Sequence, residues 1–210
     1  MPFESAQSFD PEALAWDKQD GLIPVIVQDA DNRRVLMLGY MNRAALAQTR
    51  ASGRVTYYSR SKQRLWTKGE SSGHFLQLVR MEADCDADTL LIQARPAGPT
   101  CHLDRASCFE HAPADFLGEL DAFIEQRERE RPAGSYTTRL FESGIQRIAQ
   151  KVGEEGVETA LAATVRNTEE LKNEAADLLY HLIVLLRASG LSLQDATAVL
   201  EQRHRAATSE

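Results

Sequence analysis

The sequence predicts two domains, a β-rich α+β domain followed by an all-α helical bundle. The chain has 210 residues, a length that suits one large domain or two of about 100 residues. Up to about residue 111, short runs rich in β-branched residues alternate with turn signals. From residue 112 onward, long segments with apolar residues at helical spacing replace them. We therefore place the boundary in "EHAPAD" and predict domains at residues 1–111 and 112–210.

Five strands are predicted in the first domain, and they are the segments IPVIVQD, RRVLMLGYM, RVTYYS, HFLQLVRME and TLLIQAR. Helical spacing is limited there to NRAALAQTR and a weaker signal in PEALAW. In the second domain a helix is predicted over DFLGELDAFIEQRERE, with Pro113 in its first turn and with Pro132 and Gly134 ending it. Two longer helices are expected around KVGEEGVE and EELKNEAADLLYHLIVLLRA.

Composition and charge limit the partners of the chain. It is 43% hydrophobic and 26% charged, with a formal net charge of −7, which is ordinary for a globular protein. That charge argues against a protein that binds the phosphate backbone of nucleic acids. No apolar run approaches the roughly 18 residues of a membrane span, and the first residues lack the regions of a secretory signal. We expect a cytoplasmic protein with no nucleic-acid or membrane partner.

The segment DCDADTLL places three carboxylates at alternate positions around one thiol. The residues are Asp84, Cys85, Asp86 and Asp88. On an extended chain the carboxylates would share one face and the thiol would point to the other. A solvated turn and a cation site both remain open at this point. An EF-hand loop does not fit, because Thr89 and Arg95 stand where that motif needs Gly and a bidentate Glu.

The three cysteines are Cys85, Cys101 and Cys108. An odd number cannot pair fully, and cytoplasmic thiols are rarely paired at all. Buried, unreactive thiols are one interpretation, and their spacing is not that of a zinc ribbon. Zinc is the other interpretation, because three protein ligands and a water form the usual catalytic zinc site.

Two sets of acidic residues in the second domain each share a helix face. They are Glu154, Glu155 and Glu158 in E-E-x-x-E, and Glu174 and Asp177 in E-x-x-D. A solvated helix side is the usual explanation, but the second helix is so apolar that its acidic residues must border a packing face. Carboxylates facing one another across a helical seam repel unless a cation binds, and hard oxygen ligands select Mg²⁺ or Mn²⁺. His181 is expected to be a packed, hydrogen-bonded histidine.

Both halves resemble known families. The first half resembles phosphoribosyl-AMP cyclohydrolase through VLMLGYMN, YYSRSKQRLWTKGESSGH, DCDADTLL and CHLDRASCF. The second half resembles phosphoribosyl-ATP pyrophosphohydrolase, an α-helical family related to the MazG group, through SYTTRLFESGIQRIAQKVGEEGVE and NEAADLLYHLIVLL. The fusion is similar to bifunctional histidine-biosynthesis enzymes. This resemblance implies that the second half hydrolyses phosphoribosyl-ATP to phosphoribosyl-AMP and pyrophosphate, and that the first half opens the adenine ring between N1 and C6.

The cyclohydrolase resemblance implies two metals in the first half. The three cysteines match the zinc ligands of that family, and Asp84, Asp86 and Asp88 match its Mg²⁺ ligands. The family is a homodimer with zinc ligands from both subunits, so Cys85 is expected to meet the other two cysteines of a partner chain. An extended DCDADTLL would then present sulfur to one zinc per domain on one side and oxygens to Mg²⁺ on the other.

The segment WTKGESSGH is expected to bind the substrate phosphate through hydroxyls, an ammonium and backbone amides. The residues concerned are Trp66, Lys68, Gly69, Glu70, Ser71, Ser72, Gly73 and His74. Lys68 and His102 are catalytic candidates, and His102 would either transfer a proton or orient other groups. Asp104 stands where the family's loop commonly has Gly, and a positive φ there would suit Asp less well.

The pyrophosphohydrolase resemblance implies Mg²⁺ held by the five acidic residues Glu154, Glu155, Glu158, Glu174 and Asp177. Lys151 is the catalytic candidate, either contacting phosphate or relieving repulsion along its helix. Two other functions remain: a pyrophosphohydrolase for general or damaged nucleoside triphosphates with an inactive first half, and a first half that is only a structural zinc module for dimerisation. The carboxylates around Cys85 favour catalysis, because a structural module has no use for a second, hard-metal site.

Overall fold

The computed structural model describes residues 9–208. The first eight residues, which belong to the segment expected to lack a secretory signal, lie outside the described residues, as do the last two. The chain divides into two compact units, Met1–Phe116 and Leu117–Glu210. The first is rich in strands and the second is helical, so the predicted fold class is confirmed.

Within residues 9–116, the first unit contains two short 3-10 helices, Pro11–Ala13 and Trp16–Gln19, followed by six strands and one α-helix. These elements are β1 (Ile23–Asp29), β2 (Val35–Met41), α1 (Arg43–Ser52), β3 (Thr56–Ser59), β4 (Arg64–Thr67), β5 (Leu76–Ala83) and β6 (Leu90–Pro96). The main sheet has the order β2-β1-β6-β5, with β1 parallel to β6 and the other pairs antiparallel. β3 and β4 form a separate hairpin.

Strand residues that alternate between buried and more exposed positions build the core of the first unit. Ile23, Val25 and Val27 on β1 are fully buried while the residues between them are not, as expected for a strand with one face in the core. Tyr57 on β3 lies flat against Gly39 on β2, where an added Cβ would come within 2.4 Å of the ring. Only glycine fits at that position.

Two local features of the first unit differ from the sequence prediction. The weak helical signal in PEALAW corresponds to the short 3-10 helix Pro11–Ala13 and not to an α-helix; Leu14 and Trp16 are both buried, and a spacing of two residues cannot place both on one α-helix face. The strand β4 was not predicted, and with four residues it is too short to show a period.

The second unit consists of helices. They are α2 (Phe116–Glu130), which begins at the unit boundary, α3 (Tyr136–Glu142), α4 (Ile145–Thr164), α5 (Thr168–Ala188) and α6 (Leu193–Ala207). α4 and α5 pack against each other. Their core contains Ile148, Ile183 and Val184. Pro113 lies three residues before α2, so its expected place in the first helical turn is wrong.

Over residues 9–208, no single helix is both long and apolar enough to cross a membrane. The bent pair Thr168–Ala188 and Leu193–Ala207 passes this test of length and composition jointly, with an angle of 105° between the helices.

Candidate active sites

A cleft of about 450 Å³ in the first unit, here called the thiol cleft, gathers most of the residues predicted for this unit. Its lining consists of Met37, Trp66, Lys68, Gly69, Glu70, Ser71, Ser72, His74, Pro99, Thr100, Cys101, His102, Asp104 and Cys108. The predicted phosphate-binding segment and the segment with two of the three cysteines therefore face the same space. Of the predicted substrate-binding residues, Gly73 does not line the cleft; its amide donates to the Gly69 carbonyl at 2.8 Å.

The loop that carries Cys101 and Cys108 is fixed to β2. The Cys108 amide donates to the Leu36 carbonyl at 2.8 Å, and the Ser107 hydroxyl donates to the Val35 carbonyl at 2.7 Å. Cys101 is buried and Cys108 is exposed as a residue. Desolvation of its sulfur, and then the neighbouring Cys101 thiol, raise the pKa of Cys108. The Cys101 thiol therefore lies close to the Cys108 thiol in this cleft.

Lys68 is buried at the end of the β3–β4 hairpin, with 8% of its surface exposed. Burial lowers the pKa of its ammonium, and the nearby Cys108 and Cys101 thiols oppose part of this shift. An ammonium this buried interacts strongly with any anion that enters the cleft. Trp66 stacks on Tyr57 with ring centroids 5.6 Å apart, which fixes the neighbouring backbone.

The turn after β4 is shaped by two contacts. A Cβ at Gly69 would lie 2.5 Å from the backbone of His74, so the close approach of these two residues requires glycine. Glu70 accepts a hydrogen bond from Arg64 at 2.6 Å, and this contact holds the pKa of Glu70 below its ordinary value. Glu70 is therefore paired with Arg64, and it lines the cleft together with Ser71 and Ser72.

His102 and Asp104 lie on the exposed side of the cysteine loop. The Nδ1 atom of His102 is 3.9 Å from the Cys101 sulfur. Asp104 has a φ of 55°, so the backbone does adopt the left-handed conformation for which glycine is favoured. The Asp104 amide donates to the Cys101 carbonyl at 3.2 Å, which closes the loop between the two thiols.

The acidic turn, residues 84–88, is a tight turn between β5 and β6 and not an extended chain. A turn, one of the interpretations left open by the sequence, is what forms, and the separation of thiol and carboxylates onto two faces of an extended segment is wrong. Asp84 Oδ1 accepts hydrogen bonds from the amides of Asp88 and Thr89, both at 3.0 Å, and Ala87 has a φ of 58°. This turn still brings the three aspartates together, with ligand oxygens within 4.8 Å of one another.

Cys85 is exposed and does not line the thiol cleft. Within residues 9–208, the groups of three side chains close enough to hold a metal ion contain carboxylates only, and no cysteine belongs to one. One chain thus brings Cys101 and Cys108 together, but not Cys85 with them.

Lys18, which the sequence did not single out, reaches the acidic turn. Its Nζ atom lies 2.6 Å from Asp86 Oδ2 and 2.9 Å from Asp88 Oδ2. The hydrogen bonds to these carboxylates raise the pKa of Lys18, and Lys18 lowers the pKa of Asp88. The contacts span 68 and 70 residues of sequence, so no local pattern indicates them.

The second unit has its own carboxylate cluster, formed by Glu155 and Glu158 on α4 and Glu174 on α5, with ligand oxygens within 4.8 Å of one another. Glu155 is buried, with 5% of its surface exposed. Partial burial, and then the carboxylates of Glu158 and Glu155, raise the pKa of Glu174. A helical seam that concentrates negative charge in this way favours a bound cation.

The other predicted residues of the second unit lie around this cluster. The Lys151 ammonium is 2.8 Å from Glu155 Oε1 and 2.9 Å from Glu154 Oε2, and these contacts raise its pKa. Glu154 also accepts a hydrogen bond from Gln150 at 2.7 Å, so its carboxylate is turned towards donors outside the cluster. Asp177 lines a neighbouring cavity of about 440 Å³ together with Lys151 and Glu155.

That cavity also contains Tyr136, Tyr180 and His181. His181 is buried and hydrogen bonded, as expected, and its Nδ1 lies 2.9 Å from the Asp177 carbonyl. Because a carbonyl can only accept, Nδ1 carries a proton and donates to it, and Nε2 lies 3.0 Å from the Tyr136 hydroxyl, within hydrogen-bonding distance. The sequence reasoning missed both tyrosines, since Tyr136 is 45 residues from its partner.

Comparison with known proteins also divides the chain into a first and a second part. The phosphoribosyl-AMP cyclohydrolase family model matches residues 37–110, and the phosphoribosyl-ATP pyrophosphohydrolase family model matches residues 117–204. The histidine biosynthesis bifunctional protein HisIE of Xanthomonas campestris is 73% identical over 194 residues, which are 92% of this chain and 94% of the relative. The protein of the same name from Shewanella oneidensis is 57% identical over 208 residues, which are 99% of both chains.

These similarities confirm the expected activities. The second unit hydrolyses phosphoribosyl-ATP to phosphoribosyl-AMP and pyrophosphate, and the first unit hydrolytically opens the adenine ring of phosphoribosyl-AMP. Both reactions are metal-dependent hydrolyses of small-molecule nucleotides. The chain therefore belongs to the family of bifunctional histidine-biosynthesis proteins that join a phosphoribosyl-AMP cyclohydrolase to a phosphoribosyl-ATP pyrophosphohydrolase.

Proposed function

We propose that ring opening takes place in the thiol cleft with zinc, and that Mg²⁺ serves both units through their separate carboxylate clusters. The observation that carries the proposal is the thiol cleft itself. Lys68, Cys101, His102 and Cys108 come from two distant segments, and all four line it. Soft sulfur donors beside a cationic, hydroxyl-rich wall suit a zinc-dependent hydrolysis of a phosphorylated substrate.

The donor set also supports a homodimer. Cys101 and Cys108 provide two thiols in one cleft, whereas a catalytic zinc commonly has three protein ligands. Cys85 is exposed and therefore accessible to a second chain. We propose that Cys85 of one chain completes the zinc site formed by Cys101 and Cys108 of its partner, with one zinc ion per chain.

The residues of the cleft have separate roles in this proposal. Zinc bound by the thiols would lower the pKa of a water molecule, which supplies the nucleophile for C6 of the adenine ring. Trp66, Gly69, Glu70, Ser71, Ser72, Gly73 and His74 form the proposed substrate-binding segment, with Gly73 acting through the shape of its turn. Lys68 binds the phosphate or the developing negative charge, and His102 holds or transfers a proton beside Cys101.

The carboxylate clusters fit Mg²⁺ because they offer only hard oxygen donors. Asp84, Asp86 and Asp88 are the proposed ligands in the first unit, and Glu155, Glu158 and Glu174 are the central ones in the second. Glu154 and Asp177, at the edge of this cluster, are the remaining proposed Mg²⁺ ligands of the second unit. Mg²⁺ held there would neutralise phosphate oxygens during cleavage of the α–β phosphoanhydride. Before the substrate binds, Lys151 holds Glu155 in place through their ion pair. When the substrate binds, Lys151 contacts one of its phosphate oxygens.

The proposal extends to location and domain limits. A cytoplasmic location is supported by three free thiols among the described residues. The proposed functional boundary lies between residues 111 and 112. No role for nucleic acids or membranes is part of the proposed function.

The first experiment supplies purified protein with phosphoribosyl-ATP, Mg²⁺ and Zn²⁺ and identifies the products by mass. We expect pyrophosphate and a product heavier than phosphoribosyl-AMP by one water. Removing zinc with a chelator should leave phosphoribosyl-AMP to accumulate. If the ring-opened product still formed at an undiminished rate in protein shown to be zinc-free, the zinc assignment would be wrong.

A second experiment tests the shared site. Metal analysis should find about one zinc per chain, the number expected for one catalytic site, and Cys85→Ser and Cys108→Ser should each reduce zinc content. Mixing these two variants should restore up to one intact site per mixed dimer, and with it part of the ring-opening activity. Full zinc content and activity in a monomer, measured by sedimentation, would contradict the shared site.

A further inference from the structure

Lys18 supplies the acidic turn with a cation from within the chain. Its ammonium lies between Asp86 Oδ2 and Asp88 Oδ2, at 2.6 and 2.9 Å. Two other oxygens of the turn are engaged differently. Asp84 Oδ1 accepts hydrogen bonds from two backbone amides, and Asp88 Oδ1 accepts one from the Thr89 hydroxyl at 3.1 Å. The ammonium therefore contacts carboxylate oxygens other than those that hold the turn together.

The position of Lys18 is fixed by the fold around it. The Ala15 amide donates to the Ala87 carbonyl at 2.8 Å, which ties the segment before Lys18 to the acidic turn itself. Trp16 is buried, and its Nε1 atom donates to the Pro11 carbonyl at 3.0 Å. On the other side, the Gly21 amide donates to the Trp16 carbonyl at 2.9 Å. These contacts hold the 3-10 helix that carries Lys18 against the acidic turn.

A divalent ion at this turn would need two of the same carboxylates. Each of the three aspartates offers one oxygen within 4.8 Å of the other two, so an ion shared by all three would bind Asp86 and Asp88, the carboxylates that Lys18 contacts. An ammonium at hydrogen-bonding distance from those oxygens would repel the ion, because like charges a few ångströms apart interact strongly outside bulk water. The Lys18 ammonium and a divalent ion therefore cannot both bind Asp86 and Asp88 tightly at the same time.

We propose that Lys18 competes with Mg²⁺ for Asp86 and Asp88 and so sets the affinity of the acidic turn for divalent cations. This rests on the proposed function, in which the acidic turn is a magnesium site. When divalent ions are scarce, Lys18 neutralises the turn and keeps its shape. When Mg²⁺ binds, the ammonium moves out into solvent, which its half-exposed position permits.

The test measures divalent-cation binding directly, with Mn²⁺ as a paramagnetic substitute for Mg²⁺. Mn²⁺ is titrated into zinc-loaded, full-length protein, and free Mn²⁺ is followed by electron paramagnetic resonance, with Mg²⁺ added as competitor. Asp86→Asn identifies which binding event belongs to the acidic turn. At that site we expect Lys18→Met to bind Mn²⁺ about fivefold more tightly, the effect of removing a competitor held by two exposed ion pairs.

Two controls isolate the ammonium. Lys18→Arg keeps a cation at the turn and should bind Mn²⁺ there within about twofold of the unchanged protein. Lys172→Met removes one positive charge from an exposed pair with Glu169 in the other unit, and should leave the affinity of the turn unchanged. A gain of affinity is informative because damage to the fold would weaken binding.

Thermal unfolding distinguishes competition from a purely structural ion pair. Competition predicts that Lys18→Met melts lower than the unchanged protein in chelator and gains more stability from added Mg²⁺. If Lys18→Met lowered the melting temperature but left Mn²⁺ affinity unchanged or weaker, the proposal would be overturned while the magnesium site stood. If Asp86→Asn removed no Mn²⁺ binding event, the magnesium assignment of the turn would fail, and this proposal with it.

Discussion

One residue with an unusual backbone conformation lies in the loop that carries the two thiols of the cleft. Asp104 is the residue between them whose backbone is left-handed, with a φ of 55°. Its amide closes the loop by donating to the Cys101 carbonyl. The loop thus depends on a conformation that costs an L-residue more free energy than it costs glycine, and costs Asp less than a β-branched residue.

We therefore expect a graded stability series at this position. Asp104→Gly should raise the free energy of unfolding by about 0.5 kcal/mol, and Asp104→Val should lower it by about 1–2 kcal/mol. Urea denaturation followed by tryptophan fluorescence measures this in the first unit, because Trp16 and Trp66 both lie there. Equal unfolding midpoints for all three proteins would show that the left-handed backbone stores no strain.

Tyr136 offers a second test at this scale. Its hydroxyl is hydrogen bonded to His181 Nε2 at 3.0 Å, and His181 Nδ1 lies 3.6 Å from Glu155 Oε1, a proposed metal ligand. Groups behind a metal ligand orient it, and losing one commonly costs about 10-fold or more in metal affinity or activity. Tyr136→Phe should therefore reduce phosphoribosyl-ATP hydrolysis about tenfold and raise the Mg²⁺ concentration needed for half-maximal rate.

Ring opening of supplied phosphoribosyl-AMP is the internal control for Tyr136→Phe and should be unchanged. Raising Mg²⁺ should restore part of the lost rate, which a defect in folding would not show. An unchanged Mg²⁺ requirement would mean that the hydroxyl has no influence on the carboxylates.

Residue type and local spacing made part of the site predictable. Cysteine and aspartate in DCDADTLL and CHLDRASCF made metal sites one possibility by their chemistry, and the family resemblance implied which residues would bind zinc and Mg²⁺. Tyr136 and Lys18 could not be found in this way, because their partners are 45 and 68 residues away and neither type is unusual on a protein surface. Such contacts exist only once the chain has folded.

At the scale of elements, hydrophobic period predicted β1, α1 and the long helices α4 and α5, which all bury one face. For the acidic turn, the alternating aspartates left an extended segment and a turn both open, and a turn forms. Alternation in DCDADTLL imitates a strand, but Asp84 caps a turn through two backbone amides, and Ala87 adopts a positive φ. Local hydrogen bonding by Asp overrides the extended conformation here, as it often does at strand ends.

The helices of the second unit are also joined by one buried ion pair. Arg187 on α5 donates to both oxygens of Asp121 on α2, each at 2.7 Å, and the amide of Leu193 at the start of α6 donates to Asp121 as well. Asp121→Ala would remove this bidentate partner from the largely buried Arg187 and leave the more exposed Glu125, whose Oε1 is 3.3 Å away, as its carboxylate neighbour. We expect it to lower the free energy of unfolding of the second unit by about 3 kcal/mol.

Circular dichroism at 222 nm during urea denaturation measures this loss, since the second unit is helical. Glu201→Ala is the matched control, because it removes an exposed pair with Arg205 at 3.6 Å within one helix. That change should cost no more than about 0.5 kcal/mol. A similar loss in both variants would show that the buried pair contributes no more than a surface one.

At the scale of the whole molecule, the two sites lie in different units and use different donors. The thiol cleft belongs to the first unit, and the cluster of Glu155, Glu158 and Glu174 belongs to the second. Each unit has its own hydrophobic core. A change confined to one site should therefore leave the chemistry of the other intact.

This separation predicts opposite phenotypes for two conservative substitutions. Glu158→Gln keeps the size and hydrogen bonding of the side chain but removes an anionic oxygen ligand, so pyrophosphate release from phosphoribosyl-ATP should fall by about 100-fold or more. Ring opening of supplied phosphoribosyl-AMP should persist. Cys85→Ser should do the reverse, because serine is a poor ligand for zinc.

Both residues are exposed, and removing one of three crowded carboxylates relieves repulsion, so folding should survive each change. Separate assays of the two reactions on each variant, with circular dichroism as the folding control, decide the matter. If Glu158→Gln abolished both reactions in a folded protein, or neither, the assignment of one reaction to each unit's own site would have to be given up.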